Sequence, residues 1–219
     1  AHERAPSEST RSVLMRTMAE LRELHTLSRH DGYVRRLSAS PDGRRVVAVT
    51  DTNYSTVWDV DEGVPLFLLD AHEDVVKDAA FSPDTPMIAT AALDATVRLW
   101  SSVAGRALRT LRGSTAGFSA LQWAKASGQL VTASVVGEVR VWDVESGAAL
   151  STFDSGVVGI QWSDLSPNGD LIEIVKKGSV SIFGLRTGAP VHEFVVTSAP
   201  LNRVRFLGDV TRLLWWNRS

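Results

Sequence analysis

Apolar residues in this chain come in short runs, broken every few positions by Ser, Pro, Asp, Asn and Gly, and the whole arrangement repeats. The clearest unit lies between Ala71 and Trp100. An apolar run, Val76 to Phe81, is followed by the turn Ser82-Pro83-Asp84, a small-residue run Met87 to Ala91, and a run Thr96 to Trp100. A polar turn ending in Gly105 then leads to Leu108-Arg109-Thr110-Leu111. Runs this short, bounded by turn residues, predict strands, here named a, b, c and d in chain order. Strand a recurs at Val34 to Ala39, Phe118 to Trp123 and Ile160 to Leu165. Strand b recurs at Arg45 to Thr50, Gln129 to Ser134 and Asp170 to Val175, and strand c at Ser55 to Trp58, Glu138 to Trp142 and Ser179 to Phe183. Trp58, Trp100, Trp142 and Phe183 are spaced by 42, 42 and 41 residues, and Gly63, Gly105, Gly147 and Gly188 keep the same step.

A fixed period of this size, with Trp58-Asp59 and Trp142-Asp143 closing strand c, predicts an all-β chain of four-stranded antiparallel blades, a β-propeller. In the a–b turns, Pro41, Pro83 and Pro167 fix φ, while Asp42, Asn168, Gly43 and Gly169 suit the later turn positions. Four units are complete. Val191 to Phe194, Asn202 to Phe206 and Arg212 to Trp216 supply most of a fifth, so the ring reads as incomplete and a longer natural polypeptide is expected. Leu24-His25-Thr26-Leu27 aligns with the d strands and would join the last blade, removing a free sheet edge. Before it, Val13, Leu14, Met18 and Leu21 fall on one face at helical spacing behind a Ser7 cap, predicting a short amphipathic helix. Residues 1–23 are therefore expected to form a linker and helix, and 24–219 the partial propeller.

Composition narrows the chemistry. A net charge of -2 gives no electrostatic reason to expect nucleic acid or an anionic membrane as partner. No apolar run is long enough to span a bilayer as a helix. With no cysteine, disulfides and thiolate metal sites are excluded, and a cytoplasmic setting is the expectation. None of His2, His25, His30, His72 and His192 has a partner at metal-ligand spacing, so neither a metal nor another cofactor is expected.

The period, the turns and the Trp-Asp dipeptides resemble those of the WD-repeat β-propellers over about residues 24 to 216. That resemblance implies a structural tetrad in each blade: a loop His, a strand b Ser or Thr, a b–c turn Asp and the strand c Trp. The second unit has His72, Asp94 and Trp100, with Ala92 where the hydroxyl is expected. The first has His30 and Trp58, with Thr52 at the Asp position. The third has Ser134 and Trp142, with Ser114 for the His and Val136 for the Asp; the fourth keeps no polar member and has Phe183 for Trp. The stretch before Leu24 resembles the junction that leads into the C-terminal propeller of bacterial signal-transduction ATPases with numerous domains. This implies a sensor module attached to upstream domains of the same polypeptide. No Gly-x-x-x-x-Gly-Lys-Ser/Thr loop occurs in the chain itself.

Catalysis finds little support. Ser82, His72 and Asp94 could suggest a triad, but Ser82 precedes a proline and lies in no nucleophile elbow. Carboxylates after the strand c aromatics, such as Asp59, Asp61 and Asp143, read as turn caps. Strands a are mainly aliphatic, which disfavours an enzyme with its site in the central channel. What remains is surface. The d–a loops and the starts of strands a place Tyr33, Arg35, Val75, Lys77, Ser119, Gln161 and Asn202 on one face of the ring. Aromatic and Arg side chains dominate interface energetics, so this face is the candidate protein-binding surface. The sequence thus reads as a non-enzymatic interaction or sensor scaffold with protein partners. A channel enzyme and a purely structural subunit are the alternatives.

Overall fold

The computed structural model describes residues 32–195, apart from 125–127, 161, 167 and 177, and the backbone of 203–206 and 213–216. The predicted N-terminal helix, the strand at Leu24 to Leu27, and the site candidates His30, Gln161 and Asn202 lie outside the described residues.

Within them the chain is all-β and contains no helix. The first sheet consists of β1 (Arg36–Ala39), β2 (Arg45–Val49), β3 (Tyr54–Asp59) and β4 (Pro65–Asp70). The second is β5 (Val76–Phe81), β6 (Met87–Ala92), β7 (Val97–Ser101) and β8 (Ala107–Leu111). The third is β9 (Phe118–Ala124), β10 (Gln129–Ser134), β11 (Glu138–Asp143) and β12 (Ala149–Asp154), and the fourth β13 (Trp162–Leu165), β14 (Leu171–Lys176), β15 (Ser179–Gly184) and β16 (Pro190–Val195). In every sheet each strand pairs antiparallel with the next in sequence, and β17 (Arg203–Phe206) with β18 (Leu213–Trp216) begin a fifth. Each c–d pairing shifts register at the strand c aromatic: at Trp58, Trp100, Trp142 and Phe183.

The sheets cannot bury their apolar faces alone, so each packs on its neighbour, and the core is divided accordingly. Val47, Val49, Val57 and Leu69 of the first sheet meet Val76, Ala79, Phe81, Ile88 and Trp100 of the second. Leu99 and Leu111 of the second meet Phe118, Leu130 and Trp142 of the third, and Val131 and Val139 of the third meet Ile172, Ile174 and Phe183 of the fourth. Trp100, Trp142 and Phe183 therefore each face the preceding blade. The inner strands β1, β5, β9, β13 and β17 stand next to one another in that order. This is the radial stack that the period predicts. Leu37, the counterpart of Ala79, is 63% exposed where Ala79 is 3% exposed, so the inner part of the first sheet's outer face is open.

Turns follow the sequence closely. Ser40 Oγ accepts from the Arg45 amide at 2.9 Å and Gly43, at φ 72°, closes the a–b turn. Ser166 repeats this with the Leu171 amide at 2.9 Å. Asp59 caps the amides of Asp61 and Glu62, both at 2.9 Å, as the turn reading of these carboxylates expects.

Candidate functional site

Up-and-down strands put the d–a loops and b–c turns at one end of the stack, and the a–b and c–d turns at the other. The first end holds the buried polar network of the second blade. His72 Nδ1 lies 2.9 Å from Asp94 Oδ2, and His72 Nε2 lies 2.7 Å from Thr90 Oγ1. Trp100 Nε1–H donates to the same Thr90 hydroxyl at 2.9 Å. Since Asp94 is a carboxylate, Nδ1 carries the imidazole proton, and Thr90 donates its own proton to Nε2. Thr96 Oγ1–H and its amide both donate to Asp94 Oδ1, at 2.7 and 2.9 Å. Burial is the largest influence on the His72 pKa and pushes it down; the charge of Arg98 adds to this, and the hydrogen bond and charge of Asp94, acting upward, do not reverse it. For Asp94 burial is the largest single influence and acts upward, yet hydrogen bonds from Thr96, His72 and the Glu73 amide together leave it below the usual carboxylate value.

The hydroxyl in this network is Thr90, two residues before the expected Ala92. Trp100 pairs with Ile88, so the diagonal neighbour within reach of its indole is Thr90, while Ala92 lies a further two residues along. The third blade is corrected in the same way: Trp142 Nε1–H donates to Thr132 Oγ1 at 2.9 Å. Ser134, the expected partner, instead accepts from the Glu138 amide at 3.0 Å. Ser114, at the His position, donates to the Ala116 carbonyl at 2.8 Å, and Val136, at the Asp position, is exposed. In the first blade the equivalent strand b position is Ala48. Trp58 is 1% exposed, and its Nε1 has no hydrogen-bond partner among the described residues. Thr52 donates to the Tyr54 carbonyl at 3.1 Å. In the fourth blade an apolar pair, Phe183 with Ile174, fills the same place.

Of the expected loop-face residues, Tyr33 is 81% exposed and Arg35 is exposed, but Val75 and Lys77 are half-buried. Ser119 is not a surface residue: it is buried and donates to the Ala133 carbonyl at 3.1 Å. Asp51 holds the Tyr33 loop. Its Oδ1 accepts from the Tyr33 amide at 3.0 Å, and Oδ2 lies 3.9 Å from Arg35 Nη2. Gly32, at φ 79°, passes so close that a Cβ there would meet Asp51 Oδ1 at 2.0 Å. Val136 and Val158 add exposed apolar surface on the same end of the stack, which the sequence alone does not single out.

The inner strands carry more polar chemistry than the aliphatic reading of strand a allows. Asp78 Oδ2 accepts from the Leu121 amide at 3.0 Å, and Gln122 Nε2 donates to Asp164 Oδ1 at 2.6 Å. Each joins one blade to the next. At the opposite end, grooves of about 310, 420 and 390 Å³ run between successive blades. Arg109 crosses the middle one to the carbonyls of Ser146 and Glu145, at 3.0 and 2.9 Å. No cluster of three metal-ligating side chains occurs among the described residues, and no helix among them is long and apolar enough to cross a membrane.

A sequence model of the family described as WD domain, G-beta repeat matches residues 21–59 and 63–101. Protein HIR1 of Eremothecium gossypii is 28% identical over a stretch covering 36% of this chain and 11% of that protein. Eukaryotic translation initiation factor 3 subunit I of Pyricularia oryzae is 29% identical, over 41% of this chain and 26% of its own length. The chain thus spans a small part of the curated relatives it matches. Among solved structures, the RRP9 WD40 repeats superpose with a TM-score of 0.69 at 24% identity, covering 76% of this chain and 50% of that one. The structure of U3-55K superposes with a TM-score of 0.68 at 24% identity and the same coverage. The two matched stretches are similar to WD repeats, and the superpositions show that this chain shares the blade architecture of those propellers.

Proposed function

We propose that this chain is a non-enzymatic interaction scaffold that recognises a protein partner on the end of the stack bearing the d–a loops and b–c turns. The observation that carries this reading is the Tyr33 loop. Asp51 fixes its backbone through the Tyr33 amide, while the ring of Tyr33 stands 81% exposed. A large amphipathic side chain on a preorganised loop contributes contact area at low ordering cost. Arg35 beside it, and Val136 and Val158 on the same end, extend the surface with the residue types that anchor interfaces. The name of one relative, a subunit of a translation initiation factor, fits a role inside an assembly. The resemblance of the N-terminal stretch to a signalling-ATPase junction favours a sensor role within a larger cytoplasmic polypeptide.

The channel-enzyme alternative has less in its favour. Asp78 is engaged by the Ala79 and Leu121 amides and by Arg36, and Asp164 by Gln122 and the Leu165 amide. The test is capture of partners from the source cell on immobilised protein, comparing wild type with Tyr33→Ala plus Arg35→Ala. The same proteins should be retained by wild type and lost by the double variant, whose circular dichroism should not change. Equal capture by both would remove this face from the reading, and turnover of any hydrolase or redox substrate panel would restore the enzyme alternative.

A further inference from the structure

We propose that the inner ring contains a built guanidinium site whose resident occupant is Arg36, latching the first blade onto the fourth across the axis. Arg36, Asp78, Ala120 and Trp162 occupy one register position on β1, β5, β9 and β13, opposite Val49, Ala91, Ala133 and Val175 of the adjoining strands. They therefore form a single layer around the axis. Arg36 reaches both ends of that layer. Its Nε lies 3.5 Å from Asp78 Oδ1 on the next blade, and its Cζ lies 4.2 Å from the centroid of the Trp162 ring three blades on.

The arrangement is specific to this side chain. Ala120, at the same register position on β9, is buried in the core between the third and fourth blades and offers no polar group to compete for the guanidinium. Asp78 is positioned independently of Arg36, since Oδ1 accepts from the Ala79 amide and Oδ2 from the Leu121 amide, both at 3.0 Å. A planar, weakly hydrated guanidinium stacks on an indole and meets a carboxylate edge-on, which a compact hydrated ammonium does not do. The Arg36 and Asp78 side chains are 15% and 11% exposed, so both interactions act where water screens them little. Each inter-blade hydrogen bond described above joins neighbouring blades. Arg36 on Trp162 instead ties together sheets separated by two others.

The test is thermal unfolding of Arg36→Ala and Arg36→Lys in the intact chain, with ethylguanidinium or ethylammonium added at equal millimolar concentration. Arg36→Ala should lower Tm by about 5 °C. Ethylguanidinium should restore part of that loss and ethylammonium should not, while neither raises the wild-type Tm. Arg36→Lys should retain less than half of the wild-type margin; it is the variant read if Arg36→Ala does not fold. Combined with Trp162→Leu, the loss from Arg36→Ala should shrink, because the two share one interaction. Lack of guanidinium-specific rescue, a Lys variant as stable as wild type, or strictly additive losses would each overturn the proposal.

Discussion

Trp100 donates its indole N–H to the hydroxyl of Thr90, ten residues earlier, at 2.9 Å, and Trp142 does the same to Thr132. In the first blade Trp58 has Ala48 at that distance, and its indole nitrogen is buried with no hydrogen-bond partner among the described residues. An unsatisfied buried donor costs about 1–3 kcal/mol. Ala48→Thr should therefore stabilise the protein by about 1 kcal/mol relative to Ala48→Val, a shift of about 3 °C in Tm. The valine variant has the same shape without the hydroxyl, so the difference between the two isolates the hydrogen bond. Equal melting of the two would show that Trp58 gains nothing from an acceptor there.

Thr90→Val makes the converse prediction. It removes the acceptor of Trp100 and the partner of His72 Nε2 together, leaving two buried polar atoms unpaired in one step. The loss should be about 2–4 kcal/mol, larger than for Thr132→Val, where one indole alone loses its partner. Urea unfolding of the two variants, with unchanged m values, measures the difference.

Blade boundaries, strand order and turns are legible from the 42-residue step because they depend on local periodicity, as Gly43 and Ser40 in the first a–b turn show. Spacing alone places the tetrad hydroxyl at Ala92 and Ser134, although Thr90 and Thr132 keep the same step as the tryptophans. Its position depends on which strand b residue lies diagonal to the indole, a cross-strand relationship that needs register as well as spacing. The loop neighbourhood of Ser119 suggests a surface position, whereas the structure buries it against the carbonyl of Ala133. The meeting of Arg36 with Trp162 has no local signal at all, since it depends on how the inner strands curve around the axis.

His72 should make stability depend on pH. Burial lowers its pKa below 6.5 in the fold, so the unfolded chain binds the proton first as pH falls. Stability from this group is complete above the unfolded value and declines as the pH drops through the folded one. Tm should fall between pH 7.5 and 5.5, and the fall should be shallower in His72→Asn, measured by calorimetry in matched buffers. Asp94, also lowered, adds a second decline in the same direction below its ordinary value of 3.8. An identical pH profile in the His72 variant would assign the titration to other groups.

Gly105 separates two costs of an added methyl group. It sits at φ 66° in the second blade's c–d turn, and a Cβ there would lie 2.6 Å from the Phe67 ring of the first blade. Gly43 has a similar φ of 72°, but a Cβ added to it would meet nothing within 4 Å. Gly43→Ala should cost about 1 kcal/mol, the penalty of left-handed backbone alone. Gly105→Ala should cost at least about 1 kcal/mol more, because Phe67 must also shift. Gly147 and Gly188 meet Arg109 and Phe153 of their preceding blades in the same way, which explains why glycine recurs at this turn. Equal losses for Gly43→Ala and Gly105→Ala in urea unfolding would show that blade-to-blade contact does not contribute.

Ala95 offers the opposite change. It is the non-glycine residue with positive φ among the described residues, at 59°, between Asp94 and Thr96 in the b–c turn of the second blade. The third and fourth blades have Gly137 and Gly178 in the corresponding turns, at φ 101° and 85°. The strain at Ala95 is held in place by Thr96, whose hydroxyl and amide both donate to Asp94, and so by the same carboxylate that orients His72. Ala95→Gly relieves the left-handed strain of about 1–2 kcal/mol and gives back part of it through the greater freedom of glycine in the unfolded chain. The net gain should be about 0.5–1 kcal/mol, read as a higher urea midpoint at unchanged m. The pH dependence assigned to His72 should be unaffected, because the substitution leaves the Asp94 contacts in place. A loss of stability would mean that the turn depends on the alanine for more than its backbone.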